Sequence, residues 1–499
     1  MAHELYGWFF DLYDDPRDGL VLWLLGEDGQ RYRLHRTFPI TFYAAGPENL
    51  LGALARYLAD LPVPHHLSWM ARRDLFCSQP VKVLAVTIDH PSRQPDFFQQ
   101  AARQFPQLTY YDADIPLALR FGALSGVFPL ARCRALVSRQ EELMEISPLD
   151  DPWNIDPQPA PLRVLTMSSD VNPTHAVPRS LTVRGEHLNL QLSLSPERPF
   201  LVNLNALLKQ QDPDLLVTDW GDTWLFPYLV EMAERQGFPL PLSREPGRAV
   251  AQRKERSYFS YGQVIHRGQQ VHLFGRWHID RCNAMMWGDY GLPGVLELSR
   301  VTSLPVQVAA RVSPGTGISA MQILIALRQE ILIPWHKQRA EDPKSAAELF
   351  YADQGGLVYQ PMIGLHRDVA EIDFISMYPS LMVHFNISPE TIGSSVGEAD
   401  KIPQINMYID RSAPGLIPQT LQPLLEKRVR LKHLIADLPA WHPEVKRYRA
   451  GAAAHKWLLV TCFGYLGYKN ARFGRIEAHQ AVTAYGRDVL LQAKEMAEE

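Results

Sequence analysis

The sequence predicts an α/β protein built from several domains, and three observations predict it. The chain has 499 residues, which is too many for one ordinary hydrophobic core, so its length suggests about three domains. Strand-like apolar runs alternate with a helical run between residues 1 and 156, which is typical of an α/β domain. A segment rich in Pro and Asp, residues 150–161, then separates this part from further strand and helix patterns.

The composition is that of a globular protein, with 46% hydrophobic and 21% charged residues. The chain has no apolar run of about 18 residues, and its amino terminus is acidic, so we expect a cytoplasmic protein without signal peptide or membrane span. Four scattered cysteines without a C-x-x-C pair indicate neither a zinc site nor a disulfide framework. The net charge of −4 argues against a protein that coats nucleic acid through its overall charge. A local basic groove is compatible with this net charge.

The first candidate site lies in residues 369–375, a short apolar run that contains Glu371 and Asp373 and precedes Pro379. This pattern predicts a buried strand that ends in a turn. A buried carboxylate needs a cation, hydrogen-bond donors or a helix cap to offset its desolvation. Taken alone, Asp373 is therefore either a structural acid or a metal ligand.

The second candidate site is a pair of basic helices. Cations greatly outnumber acids between Leu421 and Phe473, and the apolar spacing predicts two helices separated by DLPAWHPE. Arg428 and Lys432 are four residues apart, so they share a helix face. Such a face is either a solvated surface or a surface that binds anions.

Both segments resemble family B DNA polymerases. DFISMYPS followed by NISPET resembles the first palm motif, D-x-x-S-L-Y-P-S with an N-I-x-P-E-T tail. LLEKRVRLK and KWLLVTCFGYLGY resemble the fingers helices of the same family. The resemblance implies an amino-terminal α/β domain, an RNase H-like exonuclease domain, and a partial palm with helical-hairpin fingers. The implied bounds are 1–156 for the amino-terminal domain, 157–304 for the exonuclease-type domain, 305–348 for a segment that returns to the amino-terminal domain, 349–420 for the first palm part, 421–464 for the fingers and 465–499 for the start of the second palm part.

The resemblance also implies roles for single residues. Asp373 and the carbonyl of Phe374 would bind two Mg²⁺ ions, which serve in-line attack by a primer 3′-hydroxyl on a nucleotide. Tyr378 would lie under the incoming sugar as a filter against a 2′-hydroxyl. Three cations would bind the incoming triphosphate. A second set of residues, a glycine pair, a tyrosine and two further cations, would contact DNA. The three triphosphate-binding cations are Arg428, Lys432 and Lys456, of which Lys456 could also protonate the leaving pyrophosphate. The residues that would contact DNA are Gly355, Gly356, Tyr465, Lys469 and Arg472.

Several positions depart from the family pattern. The D-x-E of the first exonuclease strand falls on Ser168 and Asp170, and the Asn and Asp of the next exonuclease motif fall on Trp220 and Leu225. A counterpart of the Y-x-x-x-D motif is not evident between residues 287 and 302. We therefore expect an inactive nuclease site, since two-metal hydrolysis needs several convergent carboxylates.

Two further observations bear on the polymerase site. Val460 stands where the family has an Asn, so ordinary nucleotide selection is not expected. Asp112 and Asp114 form a D-x-D that could be a rival metal pair, but their segment resembles a structural stretch of archaeal family B polymerases.

The second metal-binding acid of the family lies in a D-T-D-like hairpin that has no counterpart after Asp373, so a second polypeptide would have to supply the remaining palm and thumb, or the gene is truncated. The leading hypothesis is template-directed transfer of deoxynucleotides from dNTPs to a primer–template DNA, in replication or repair. The alternative is a catalytically inactive DNA-binding or accessory subunit. An RNase H-like nuclease is disfavoured, because its carboxylates are the ones that are missing.

Overall fold

The computed structural model describes residues 2–260, 263–336, 343–346, 362–393 and 399–499. The amino-terminal part contains two five-stranded sheets, ordered β3-β2-β1-β8-β9 and β19-β5-β6-β4-β7. The strands are β1 (His3–Asp15), β2 (Gly19–Gly26), β3 (Arg31–Arg36), β4 (Ile40–Ala45), β5 (His65–Asp74), β6 (Val81–Ile88), β7 (Thr109–Tyr111), β8 (Arg132–Val137), β9 (Leu143–Pro148) and β19 (Ile331–Leu332). Helices α1 (Glu48–Ala59), α2 (Gln94–Gln104) and α3 (Leu117–Ser125) accompany them. The alternating pattern of the first 156 residues thus gives the expected α/β structure.

The second part is organised around a sheet ordered β12-β11-β10-β13-β18, in which β10, β13 and β18 are parallel and β11 and β12 are antiparallel. Its strands are β10 (Val164–Ser169), β11 (Ser180–Gly185), β12 (Leu188–Ser193), β13 (Leu215–Thr218) and β18 (Trp277–Asp280), with helices α4 (Glu197–Gln211) and α5 (Phe226–Arg235). Four more strands form two short ladders, β14 (Ala251–Arg253) with β17 (Gln270–His272) and β15 (Arg256–Ser260) with β16 (Gln263–Arg267). The strands of both ladders are antiparallel.

Three helices lead back from this sheet to the amino-terminal part: α6 (Trp287–Thr302), α7 (Val306–Ala309) and α8 (Pro314–Arg328). The apolar segment 318–335 is helical only to Arg328, after which β19 pairs in parallel with β5. Buried Asp112 explains this change, because its backbone and its side chain both exchange hydrogen bonds with Ile333 at 2.8 Å.

The last part is mostly helical, with α9 (Met377–His384), α10 (Leu416–Asp437), α11 (Pro443–Gly467) and α12 (Ile476–Glu498). A short ladder, β20 (Ala399–Lys401) with β21 (Tyr408–Asp410), lies between α9 and α10. The predicted helical hairpin is present as α10 and α11. In the part of the chain that the structure describes, no helix has the length and hydropathy needed to cross a membrane.

The prediction of a buried strand at residues 369–375 is wrong. Residues 369–374 have no regular secondary structure, and Val369, Ile372 and Asp373 are exposed, with Ile372 at 67%. A strand needs a neighbour to pair its backbone groups. None of the described strands lies beside this segment, so its apolar pattern alone does not make it a strand.

A buried ionic cluster joins α6 to both helices of the hairpin. Glu297 on α6 accepts hydrogen bonds from Lys427 Nζ at 2.5 Å and His455 Nε2 at 2.7 Å, and Lys427 also donates to the carbonyl of Pro152. Burial works against ionisation of Glu297, but the Lys427 charge and the His455 hydrogen bond prevail and hold its pKa at about 2. Burial lowers the pKa of His455. This cluster ties one carboxylate to three segments that are distant in sequence.

The NISPET segment holds the start of α10. The Asn386 side chain donates to the carbonyls of Asp410 and Ala413 and accepts from the Gly415 N–H, each at 2.8 Å. Glu390 accepts from the N–H of Leu416, the first residue of α10, at 2.6 Å. Helix N-termini leave N–H groups without intrahelical partners, so this segment satisfies donors that would otherwise be unpaired.

Replacement of Glu297 by Gln should destabilise the protein by roughly 3 kcal/mol, because Lys427 would stay buried without its counter-charge. In the native protein this contribution is complete above the ordinary glutamate pKa of 4.5 and is lost as the pH falls towards about 2. Denaturant unfolding of both proteins at several pH values measures this. Glu444→Gln, which breaks an exposed pair with Arg447, is the control and should cost less than about 1 kcal/mol. Equal losses of stability for the two substitutions would contradict the role of Glu297 as the buried counter-charge of Lys427.

Replacement of Asn386 by Ala should cost about 2 to 3 kcal/mol, since three backbone groups lose their partner and residue 386 has a φ of 59°. Thermal unfolding followed by circular dichroism measures this loss. Asn470→Ala is the matched control, because exposed Asn470 donates one side-chain hydrogen bond within the described part of the chain, to the Tyr468 hydroxyl. A melting temperature for Asn386→Ala that equals that of the control would refute the capping role.

Candidate active site

Tyr378 occupies a fixed position between three helices. Its ring contacts Phe463 of α11 at a centroid distance of 4.6 Å, and Phe463 stacks on His479 of α12 at 4.0 Å. Gly486 of α12 leaves the space for the ring, since a Cβ atom at that position would lie 3.2 Å from Tyr378 Cε1. This stack brings the helix that follows Asp373 against the helix that carries Lys456.

Asp373 and Phe374 lie just before α9. The Asp373 side chain is exposed and that of Phe374 is half-buried. The turn into α9 passes through Ser376, whose φ of 51° is left-handed, and Ser380 Oγ donates to the Ile375 carbonyl at 2.8 Å. The carboxylate therefore stands at a defined helix start and faces solvent.

The three predicted triphosphate ligands are placed differently from one another. Lys432 on α10 and Lys456 on α11 are exposed, and neither forms a salt bridge with a described residue. Arg428 is half-buried between the two helices and donates to the Ala452 carbonyl. Burial lowers the pKa of Arg428. Two cations are thus available to an anion, whereas the third already holds the hairpin together.

The predicted DNA ligands also divide into two kinds. Lys469 is exposed, and the Tyr465 ring packs on Gly315, where a Cβ atom would come within 2.1 Å of Tyr465 Cε2. Arg472 forms a two-bond ion pair with Asp114, at 2.9 and 2.7 Å, and donates to the Pro334 carbonyl. Gly355 and Gly356 lie outside the described residues. The Asp114 side chain therefore joins the amino-terminal part to the segment after α11.

Acids of the predicted nuclease site are engaged by protein groups. Asp170 accepts from the backbone N–H groups of Arg179 and Ser180, at 3.0 and 3.3 Å. Arg281 binds both carboxylate oxygens of Asp219, at 2.8 and 2.6 Å, and its guanidinium reaches Ser168 Oγ at 3.4 Å. A guanidinium therefore neutralises the acid that directly follows β13.

Two deeper acids in the same region have structural partners as well. Arg311 donates to both oxygens of Asp222 at 2.9 Å, and, although burial opposes ionisation, the Arg311 charge holds the pKa of Asp222 below its ordinary value. Asp280 accepts from the N–H groups of Trp220, Asp222 and Cys282, each at 3.0 Å. Burial raises the pKa of Asp280 to about 6.

The donor set limits which metals fit. Among the described residues, no three His, Cys, Asp or Glu side chains lie close enough together to hold a metal ion. Mg²⁺ in nucleotide sites is typically held by one or two carboxylates together with substrate phosphates. The Asp373 carboxylate and the Phe374 carbonyl are oxygen donors of the kind that such an ion takes, and the described residues contain no cluster of acids that could hold a pair of ions.

Sequence reasoning missed three features. Glu297 stands in the apolar helical run VLELS, and this isolated acid was the available signal. Tyr290 packs closely over Gly294 on α6, where a Cβ atom would lie 2.4 Å from Tyr290 Cβ, and the predicted motifs did not indicate this contact. The Arg281–Asp219 pair had no signal in the sequence, because it depends on how the end of β18 meets β13.

Residues 314–499 match the model of DNA polymerase family B. DNA polymerase 2 of Saccharolobus solfataricus is 34% identical over 206 residues, which are 41% of this chain and 30% of that protein. DNA polymerase 1 of Pyrococcus abyssi is 24% identical over 83% of this chain and 58% of its own length. The chain therefore spans less than two thirds of each of these two relatives.

The fold agrees with these matches. The family B DNA polymerase of Pyrobaculum calidifontis superposes on 99% of this chain and 72% of its own, with a TM-score of 0.74 and 22% identity. This likeness extends through the mixed sheet and the amino-terminal sheets, which precede the region matched by the family model. Residues 314–499 are therefore similar to DNA polymerase family B, and the chain as a whole shares the fold of a family B DNA polymerase.

Proposed function

We propose that this chain carries the nucleotide-binding half of a DNA polymerase, which transfers deoxynucleotides from dNTPs to a primer 3′-hydroxyl on a DNA template. The observation that carries this proposal is the contact between Tyr378 and Phe463, because it sets the Asp373 segment beside the helix of Lys456. The Asp373 carboxylate, which would bind a metal ion, and the Lys456 ammonium group, which would bind a phosphate, then lie in the same region. Phosphoryl transfer requires such an arrangement.

Lys432, Lys456 and Arg428 would have different roles in binding the triphosphate. Lys432 and Lys456 are exposed and lack salt bridges within the described part, so they are ready to bind phosphate oxygens as point charges. Lys456 is also the group that would give a proton to the leaving pyrophosphate. Arg428 would have to break its hydrogen bond to the Ala452 carbonyl before its guanidinium could bind a phosphate through two hydrogen bonds. Its first role is therefore to hold the two helices of the hairpin together.

Bound Mg²⁺ would supply charge stabilisation for the attacking and leaving oxygens. Asp373 and the Phe374 carbonyl would hold one ion, and a second ion needs carboxylates from sequence other than the described residues. We propose that a second polypeptide with the remaining palm and thumb provides them. Tyr378, held by its aromatic stack, would lie beneath the sugar and exclude a 2′-hydroxyl.

Contacts to primer–template DNA would come from the segment after α11. Lys469 is exposed and can approach a phosphate. Arg472, in contrast, forms an ion pair with Asp114, and the Tyr465 ring packs on Gly315. We therefore assign the direct phosphate contact to Lys469 and a positioning role to Arg472. The glycine pair, Gly355 and Gly356, stays a proposed site of close approach by template DNA.

We also propose that the chain does not proofread. Asp219 and Asp222 are each paired with an arginine, and Asp170 and Asp280 accept backbone N–H groups. Metal ions would have to displace two guanidinium groups to reach the first two acids. The fold is retained, with arginines in place of metal ions as counter-charges.

A second candidate function is a DNA-binding accessory subunit without catalysis. Val460 favours it, because this side chain is 57% exposed on the face of α11 that carries Lys456 and cannot donate a hydrogen bond to a nucleotide. The two functions differ in what Asp373 does. In a polymerase it is essential for extension, whereas in an accessory subunit it is dispensable for binding DNA.

Replacement of Asp373 by Ala should reduce primer extension by roughly a hundredfold or more, since a metal-binding carboxylate contributes several kcal/mol to the transition state. Extension is measured with Mg²⁺ or Mn²⁺ for the chain alone and mixed with a polypeptide that carries the remaining palm and thumb. Glu371→Gln is the control, because Glu371 is exposed in the same segment. Undiminished extension by the Asp373 variant would disprove the metal assignment. No extension by the unaltered mixture, with salt-sensitive DNA binding intact, would establish the accessory function.

The nuclease prediction concerns Asp170, the acid that stays in register with the family motif. Degradation of a 3′-labelled single strand in Mg²⁺ should be at background level for the unaltered chain and the same for Asp170→Ala. The reason is that Asp170 already holds two backbone donors, and Asp219 is neutralised by Arg281. Processive 3′ digestion that disappears in the Asp170 variant would show that the nuclease is active after all.

A further inference from the structure

The turn between α10 and α11 exposes an aromatic side chain that the fold does not use. Trp441 is 81% exposed, compared with 49% for Trp69, the other strongly exposed tryptophan of the described chain. An exposed tryptophan ring offers a flat aromatic face on which another ring can stack. In addition, Trp441 forms no ring contact with any other described residue. It therefore stands ready to contact a ligand.

Trp441 borders a cavity of about 710 Å³, here called the fingertip cavity, which lies between this turn and the start of α6. The opposite wall includes Trp287 and buried Tyr290. The backbone of that wall is held by left-handed residues at both ends, Met286 at φ 56° and Gly291 at φ 55°. The cavity is thus lined by the exposed Trp441 and by the half-buried Trp287, which also packs against the core.

Two cations line the same cavity. Lys446 and Arg449 are three residues apart on α11, so they share a face, and both are exposed. Neither forms a salt bridge with a described residue, whereas Arg447 between them is held by Glu444 and Asp156. Asp289 is the single acid among the residues lining the cavity. The described residues that line the cavity therefore carry an excess of positive charge.

Aromatic faces beside unpaired cations are the recognition chemistry of single-stranded nucleic acid. Bases stack on aromatic side chains, and Lys or Arg side chains follow the phosphates. An acidic peptide would satisfy the cations but leave the tryptophan faces without a partner. A paired duplex would present its phosphates but would keep its bases stacked inside.

We propose that the fingertip cavity binds single-stranded DNA, with bases stacked on Trp441 and Trp287 and phosphates held by Lys446 and Arg449. Resting on the proposed function, we assign this strand as template that has not yet been copied. Lys456 lies ten residues from Lys446 on the same helix, which is about 15 Å at the rise of an α-helix. The cavity would then hold unpaired template near the nucleotide site.

The test is binding of a labelled oligothymidylate, measured by fluorescence anisotropy without divalent metal or dNTP, so that it does not depend on catalysis. Trp441→Ala and the double variant Lys446→Ala/Arg449→Ala should each bind roughly tenfold more weakly. The double variant should also flatten the plot of log affinity against log salt concentration by about 1.4, for two lost phosphate contacts. Trp441→Phe should retain most of the affinity, because it keeps an aromatic face.

Two matched controls should bind as the unaltered chain does. Trp69→Ala removes an exposed tryptophan that already lies against Lys82, and Arg103→Ala removes an exposed cation of α2. Unchanged oligothymidylate affinity in both cavity variants would overturn this proposal, even if primer extension is normal. Weakened affinity in both, with controls intact, would support it even if the chain never extends a primer. Equal loss in the controls would also overturn it.

Discussion

The Glu297 carboxylate is the interaction on which the arrangement of the helical part depends. It is shared by Lys427 of α10 and His455 of α11, so the two hairpin helices are both anchored to α6 through one group. Lys427 extends the anchor to Pro152, in the segment that links the first two parts of the chain. A buried charge is tolerated only with close partners. This requirement sets where the hairpin lies, and therefore where Lys432 and Lys456 point.

The same principle applies to the acids beside the second sheet. Several acids remain around the ends of β10, β13 and β18, and each needs a positive or hydrogen-bonding partner. In a metal site, ions would meet that need. In this chain Arg281 and Arg311 meet it for Asp219 and Asp222, and backbone N–H groups meet it for Asp280. Arginine pairs therefore keep these charges balanced without any bound ion.

The segment before α9 illustrates the opposite situation. Its apolar residues Val369, Ile372 and Ile375 are exposed, although the pattern is that of a buried strand. A strand is stable only when another strand or a helix covers it. An additional polypeptide that completes the palm would provide such a cover, and it would bring carboxylates to Asp373 at the same time. Under the proposed function, metal binding and burial of this segment are therefore a single event.

The sequence by itself determined the features that depend on local pattern. These are the α/β alternation of residues 1–156, the α10–α11 hairpin and the NISPET segment, because periodicity, turn residues and motif spacing are properties of neighbouring residues. Only the tertiary structure decided which side chains are available to bind a ligand. Arg428 and Arg472 look equivalent to Lys432 and Lys469 in sequence, yet the first two are held by Ala452 and Asp114. Their partners lie 24 and 358 residues away, and contacts over such separations leave no local pattern.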